Sequence, residues 1–249
     1  MFSSDSRLFI AGSQSGAAFN GPITGAAPST ITCCSSGSQT LRGTSTFTGN
    51  IVVDSGALVF EGAKFPAAST VTVQGQGQSR PALVGYGTFG ETILTTATLA
   101  LDSIGGQFGL ARFPGLQFAP DVVVDMEFKG ATAGAGFTQI LMTGQIVIDS
   151  AALRLNFGGY APPVGQTLTL VKGATALLDT FHNFYGGGNL AEGATFTVPG
   201  PPNDPANATL KFSITYKGGA GHDVVITRLA GSPPPPTTYT RVLPLIARD

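Results

Sequence analysis

Charge is what this sequence is shortest of. Lys, Arg, Asp and Glu make up 11% of its 249 residues, less than half of the roughly 25% expected in an ordinary soluble domain. The net charge is -1. Such a chain has no basic field for nucleic acid and no acidic tail. With little self-repulsion it tends toward self-association. Tryptophan is missing, and Phe outnumbers Tyr by 17 to 5. Aromatic platforms for sugars favour rings with a polar tip, so stacking recognition of carbohydrate is disfavoured. Phe47, Phe60, Phe89, Phe108, Phe113, Phe118 and Phe128 read instead as stacked core residues. No apolar run approaches the ~18 residues of a membrane span. Met1–Asp5 shows neither a basic n-region nor an apolar h-region, which fits either an intracellular chain or a mature form whose export signal has been removed; composition favours the mature form.

Cysteine is scarce too. The only two are adjacent, Cys33 and Cys34. Two thiols alone do not make a structural zinc site, and neighbouring Cα atoms about 3.8 Å apart strain a direct bond. Free or buried thiols, a link to another subunit and a vicinal disulfide all remain open.

What is abundant is Gly, Ser, Thr and β-prone apolar residues. The hydrophobic fraction of 42% exceeds what disorder allows. Short apolar runs alternate with turn residues. Thr46–Phe60 reads as strand, turn at Gly49–Asn50, strand, turn at Asp54–Gly56, strand. The rhythm returns at Thr70–Val73, Ala82–Phe89 and Thr98–Leu101, every 20–25 residues, which suits the coils of a solenoid. Thr48–Leu58 reappears as Thr143–Leu153 with eight of eleven positions identical, so one structural unit serves both halves. Residues 174–181 are compatible with one or two helical turns; no other stretch suggests helix. Beyond Leu229, Gly231–Pro236 is a stiff polyproline-like linker. It leads to an apolar segment with Tyr239, Val242, Leu243, Leu245 and Ile246.

Chemistry-bearing motifs are thin. Gly218–Val225 fits one copy of a calcium-binding nonapeptide, with Asp223 as its ligand. Calcium needs six to eight oxygens, so one copy falls short and a Gly-rich hairpin turn is the plainer reading. Asp125 and Glu127 share one face of a strand, read as an exposed face; a lone pair is weak support for the facing carboxylates of glycoside hydrolysis. His222 with Asp223 and His182 with Asp179 lack any G-x-S-x-G nucleophile elbow. Asn207-Ala208-Thr209 is a glycosylation sequon.

Phe137–Gly144, Ala151–Phe157, Val164–Val171, Glu192–Val198, Phe212–Tyr216 and Gly218–Ile226 form a succession of strands and Gly turns. Over about residues 105–228 this succession resembles the β-repeat region of autotransporter passenger proteins. The resemblance implies a secreted, parallel β-helical stalk, adhesin or fibre component without catalysis of its own. The sequence has no C-terminal membrane barrel of many long amphipathic strands.

The expected architecture is all-β, a right-handed parallel β-helix or solenoid with a sandwich-like C-terminal part and a Pro-linked terminal strand. Residues 1–104 form solenoid coils, 105–230 the passenger-like region, 231–238 the linker and 239–249 the tail strand. The expected role is that of an extracellular structural subunit of a surface fibre or layer, without cofactor, whose main partner is itself. Assembly runs through stacked β-edges or through Tyr239, Val242, Leu243, Leu245 and Ile246 added to a neighbour. The same segment also suits folding back in cis or surface sorting. A monomeric adhesin that binds host or surface polysaccharide is the alternative, and a polysaccharide-active β-helix enzyme ranks last.

Overall fold

The computed structural model describes residues 7–10, 17–33 and 37–231. Strands account for its regular structure; among these residues there is no α-helix, only a 3-10 turn at Pro205–Asn207. The chain first lays down β1 (Arg7–Ile10), β2 (Ala17–Phe19), β3 (Thr30–Cys33) and β4 (Ser38–Leu41). Next come β5 (Asn50–Val53), β6 (Ala57–Lys64), β7 (Thr70–Gln74) and β8 (Ala82–Thr88). Odd strands pair in parallel with odd strands, and even with even. Each turn of chain therefore contributes one strand to a first face and one to a second. The strands are short and alternate half-buried with buried residues, as in β3, β4 and β5, so each is stable only against its neighbours.

From β8 onward a third face separates. The first half of β8 pairs with β10 (Thr98–Leu101) and its end pairs with β11 (Leu110–Phe113). Each later turn has three strands. β9 (Glu91–Thr95), β12 (Leu116–Phe118), β15 (Ile146–Val147) and β18 (Leu177–Leu178) continue the first face. β13 (Val123–Glu127), β16 (Ala152–Asn156) and β19 (His182–Asn183) continue the second. β14 (Gln139–Met142) and β17 (Thr167–Lys172) continue the third. Added chain lengthens the turn. Thr30 aligns with Asn50 and Asn50 with Thr70, the advance expected from sequence. Leu116 aligns with Ile146, and Ile146 with Leu177, about half as long again. The boundary expected at residues 104–105 falls inside this continuous ladder.

The duplicated segment occupies one structural place twice. In both copies the chain runs from the first face (β5, β15) around a corner into the second (β6, β16). The corner uses left-handed backbone, at Gly56 in one copy and at Asp149 and Ser150 in the other. Each first-face strand is entered through a glycine pressed against the turn before it. A Cβ on Gly49 would sit 2.2 Å from the Ser29 carbonyl oxygen, and one on Gly144 1.9 Å from that of Pro114. The interior is filled by ladders of aromatic rings. Phe60, Phe89 and Phe113 stack at 4.2 and 4.4 Å. Phe128, Phe157 and Phe212 stack at 4.7 and 5.3 Å. All seven phenylalanines read from the sequence as core are buried.

At the far end the pairing changes sense. β20 (Thr195–Pro199), β21 (Thr209–Gly218) and β22 (Asp223–Leu229) are antiparallel, and β22 joins the third face alongside β17. Phe212 brings this layer against Phe157. Tyr216 Oη accepts from the Phe181 amide at 2.9 Å and donates to the Leu190 carbonyl at 2.7 Å. The helical turns considered for residues 174–181 are not formed: Leu177 and Leu178 pair with Ile146 and Val147, and Asp179 takes a left-handed backbone. Gly218–Ile226 forms the hairpin turn and the start of β22.

Candidate functional site

Among the described residues, a set of interacting ionisable side chains lies on the second face, where β10, β13 and β16 run side by side. Ala100, Asp125 and Arg154 occupy one column, Glu127 and Asn156 the next, and Asp102 follows the end of β10. Alternation of side chains along a strand turns Asp125 and Glu127 to the same side. The residue between them, Met126, enters the core at 1% exposure.

The charges are closely matched. Arg154 Nη2 is hydrogen-bonded and ion-paired to Asp125 Oδ2. Glu127 accepts from the amide and hydroxyl of Ser103 at 2.9 and 2.8 Å and pairs with Lys129 at 2.8 Å. Burial pushes the Glu127 carboxyl up, but the hydrogen bonds from Lys129 and Ser103 outweigh it and hold the group below its usual range. Asp102 has no such donors among the described residues. Burial, then the negative charges of Asp125 and Glu127, raise it to about 6. The hydrogen bond to Asp125 raises Arg154. Asp125 Oδ1 is buried without a hydrogen-bond partner.

Two loops rim the cluster. The one after β10 brings Phe108, with Lys129 Nζ 5.7 Å from its ring centre. The one after β19 brings Phe184, 5.0 Å from the Arg154 guanidinium carbon, and Tyr185, whose hydroxyl donates to the Leu155 carbonyl at 3.1 Å. Burial raises the Tyr185 hydroxyl. Carboxyls whose ionisation is driven apart are what acid–base chemistry needs. Here, however, Asp125 and Glu127 are already engaged by cations.

Sequence reading finds part of this cluster. Asp125 and Glu127 do share a face, but Asp125 is 8% exposed rather than on an open strand face, because Arg154 of the next turn covers it. Asp102 and Arg154 join through register, and the only local signal was the repeated strand rhythm. The other candidate residues go elsewhere. Asp223 is buried and accepts from the Gly173 amide at 2.8 Å. Among the described residues no group of three or more His, Cys, Asp or Glu side chains is placed to hold a metal ion. No hydrogen bond joins His182 to Asp179, or His222 to Asp223, among those residues. Asn207 donates its amide to Asp204 at 2.8 Å. Cys33 points into the core at 1% exposure and is a bonded rather than a free thiol. Cys34 and the tail residues Tyr239, Val242, Leu243, Leu245 and Ile246 lie outside the described residues. Among the described residues, no helix is long and apolar enough to cross a membrane.

No family model, curated protein or solved structure matches the chain.

Proposed function

We propose that the chain is an extracellular, non-catalytic structural protein, a right-handed parallel β-helix that serves as a subunit of a surface fibre or layer. The observation that carries this reading is the inequality of the two ends. At one end β1 and β2 each pair on a single side among the described residues. At the other, the antiparallel strands β20–β22 pack over the last turns. An unpaired strand edge is a template for another chain. One open end and one covered end favour a head-to-tail contact, which propagates into a filament when it does not close into a ring.

The apolar segment around Tyr239, Val242, Leu243, Leu245 and Ile246 is the strand offered to that edge by strand addition. Burial of four such aliphatic side chains at about 25 cal/mol per Å² contributes several kcal/mol before ordering costs. Right-handedness follows the roughly 98% rule for parallel crossovers. The low charge and the likeness to autotransporter passengers support a place outside the cell. The commitment of Asp125 and Glu127 to ion pairs supports a non-catalytic role.

Electron microscopy of the full-length chain beside a variant lacking residues 232–249 tests the proposal. Filaments from the full-length protein alone are expected. Single particles from both would overturn the fibre reading and leave a monomeric surface-binding module.

A further inference from the structure

The third face carries a regular feature outside the acidic cluster. Register aligns Thr44, Lys64, Thr88, Arg112, Leu141 and Lys172 in one outward column. A cation stands on every second rung. Lys64, Arg112 and Lys172 are exposed, and none is in an ion pair or side-chain hydrogen bond among the described residues. Most of the other described cations are committed, Lys211 and Lys217 at the antiparallel end being the exceptions. Arg42, Lys129 and Arg154 pair with carboxylates, while Arg80 and Arg228 donate to backbone carbonyls.

The surface beside the column is furrowed. A cleft of about 440 Å³ joins Arg112 to Lys172 over Leu110, Leu141 and Met142. A second, of about 140 Å³, runs from Thr88 to Arg112. Both touch Arg112 and Thr143. Two carboxylates border the column without entering it. Glu91 rests against Gly115, and Asp223 is held by the Gly173 amide.

We infer that this column binds an extended acidic polysaccharide carrying one carboxylate per disaccharide. Spacing selects that partner. Strands lie about 4.8 Å apart, so successive cations are separated by about 9.6 Å. Acidic residues on one face of an extended peptide repeat at about 6.7 Å, out of step with the column, and a strand of duplex DNA carries a phosphate about every 3.4 Å of axis, which leaves about two of every three phosphates without a cation. Two sugar rings of an extended glycan cover about the length of two rungs, which places a uronate at each cation. The apolar floor of the larger cleft suits the C–H face of the intervening sugar. The contact is electrostatic and exposed, so salt weakens it. This surface is separate from the strand edges invoked for assembly, and the two readings stand or fall independently.

The test is binding of full-length protein to hyaluronan oligosaccharides, whose uronates alternate, at low ionic strength. Poly-glutamate and single-stranded DNA at equal charge concentration serve as competitors. Binding is expected to fall at least tenfold in a folded K64Q/R112Q/K172Q variant and to be unchanged in K211Q/K217Q, which removes two cations of the antiparallel end. Any one of three results would overturn the inference: no binding by the parent protein, equal loss in the two variants, or competition by poly-glutamate or DNA as strong as by unlabelled hyaluronan.

Discussion

Two single residues expose how tightly this structure is constrained. Asp102 holds its proton to about pH 6 when folded, against about 3.9 for an unfolded aspartate. Between those values the native state binds more protons than the unfolded one, so stability falls as pH rises through the window. The penalty is fully present above about 6 and is relieved near 4. Two units correspond to about 3 kcal/mol, which screening at this half-buried site reduces to roughly 1 kcal/mol. Asp102→Asn is therefore expected to raise the melting temperature by about 2–4 °C at pH 7.5, with the gain gone at pH 4. A gain of equal size at both pH values would contradict the assignment. Gly144 is constrained by space: its missing Cβ would meet the Pro114 carbonyl at 1.9 Å, and a backbone atom cannot swing aside. Gly144→Ala should cost about 1–3 kcal/mol in chemical denaturation. Gly188→Ala, with nothing within 4 Å of the added atom, should stay within about 0.5 kcal/mol; equal losses would show that crowding is not the cause.

Among the elements, the antiparallel end is tied to the turns beneath it by the β17–β22 ladder, by the Phe157–Phe212 stack and by one buried hydroxyl. Burial pushes the Tyr216 hydroxyl far above its ordinary value, so it stays protonated and donates to Leu190 while accepting from Phe181. Tyr216→Phe leaves that amide and carbonyl without their partner and should cost about 1–3 kcal/mol, read as a lower denaturation midpoint with an unchanged slope. An unchanged midpoint would mean that water replaces the hydroxyl. The strands themselves were readable, because alternation and Gly or Asp corners are local signals; β5, β7, β8 and β10 lie on the runs read from sequence. The residues Leu177 and Leu178 misled because two leucines next to alanines favour helix locally, whereas their backbone is claimed by Ile146 and Val147 of the previous turn. The third face was not readable at all. It arises when the strand of one turn is followed, in the next, by two strands with a loop between them, a change visible only once register is known.

For the whole molecule, the sequence carries the repeat but not the alignment of one repeat on another. Nothing between Lys64 and Lys172 in the linear chain marks them as members of one column, nor Asp102 and Arg154 as neighbours. Both the cation column and the carboxyl cluster are products of stacking, in which residues 20–31 positions apart become adjacent. The filament expected of the full-length chain also belongs at this scale, since it depends on how the two ends differ and not on any one side chain.

The lengthening turn has a mechanical consequence. Inter-strand hydrogen bonds point along the stacking direction, so tension between the two ends is borne by successive layers in series. The load at each layer is shared among its bonds. The two-sided layer between β5–β6 and β7–β8 is joined by ladders of four and seven residues, whereas beyond β15 and β16 the parallel ladders to β18 and β19 shrink to two residues each. Under tension the layers are therefore unequal, and the first to part is expected to be the one held by the two-residue ladders β15–β18 and β16–β19, which would release the loops between those strands before the longer ladders open.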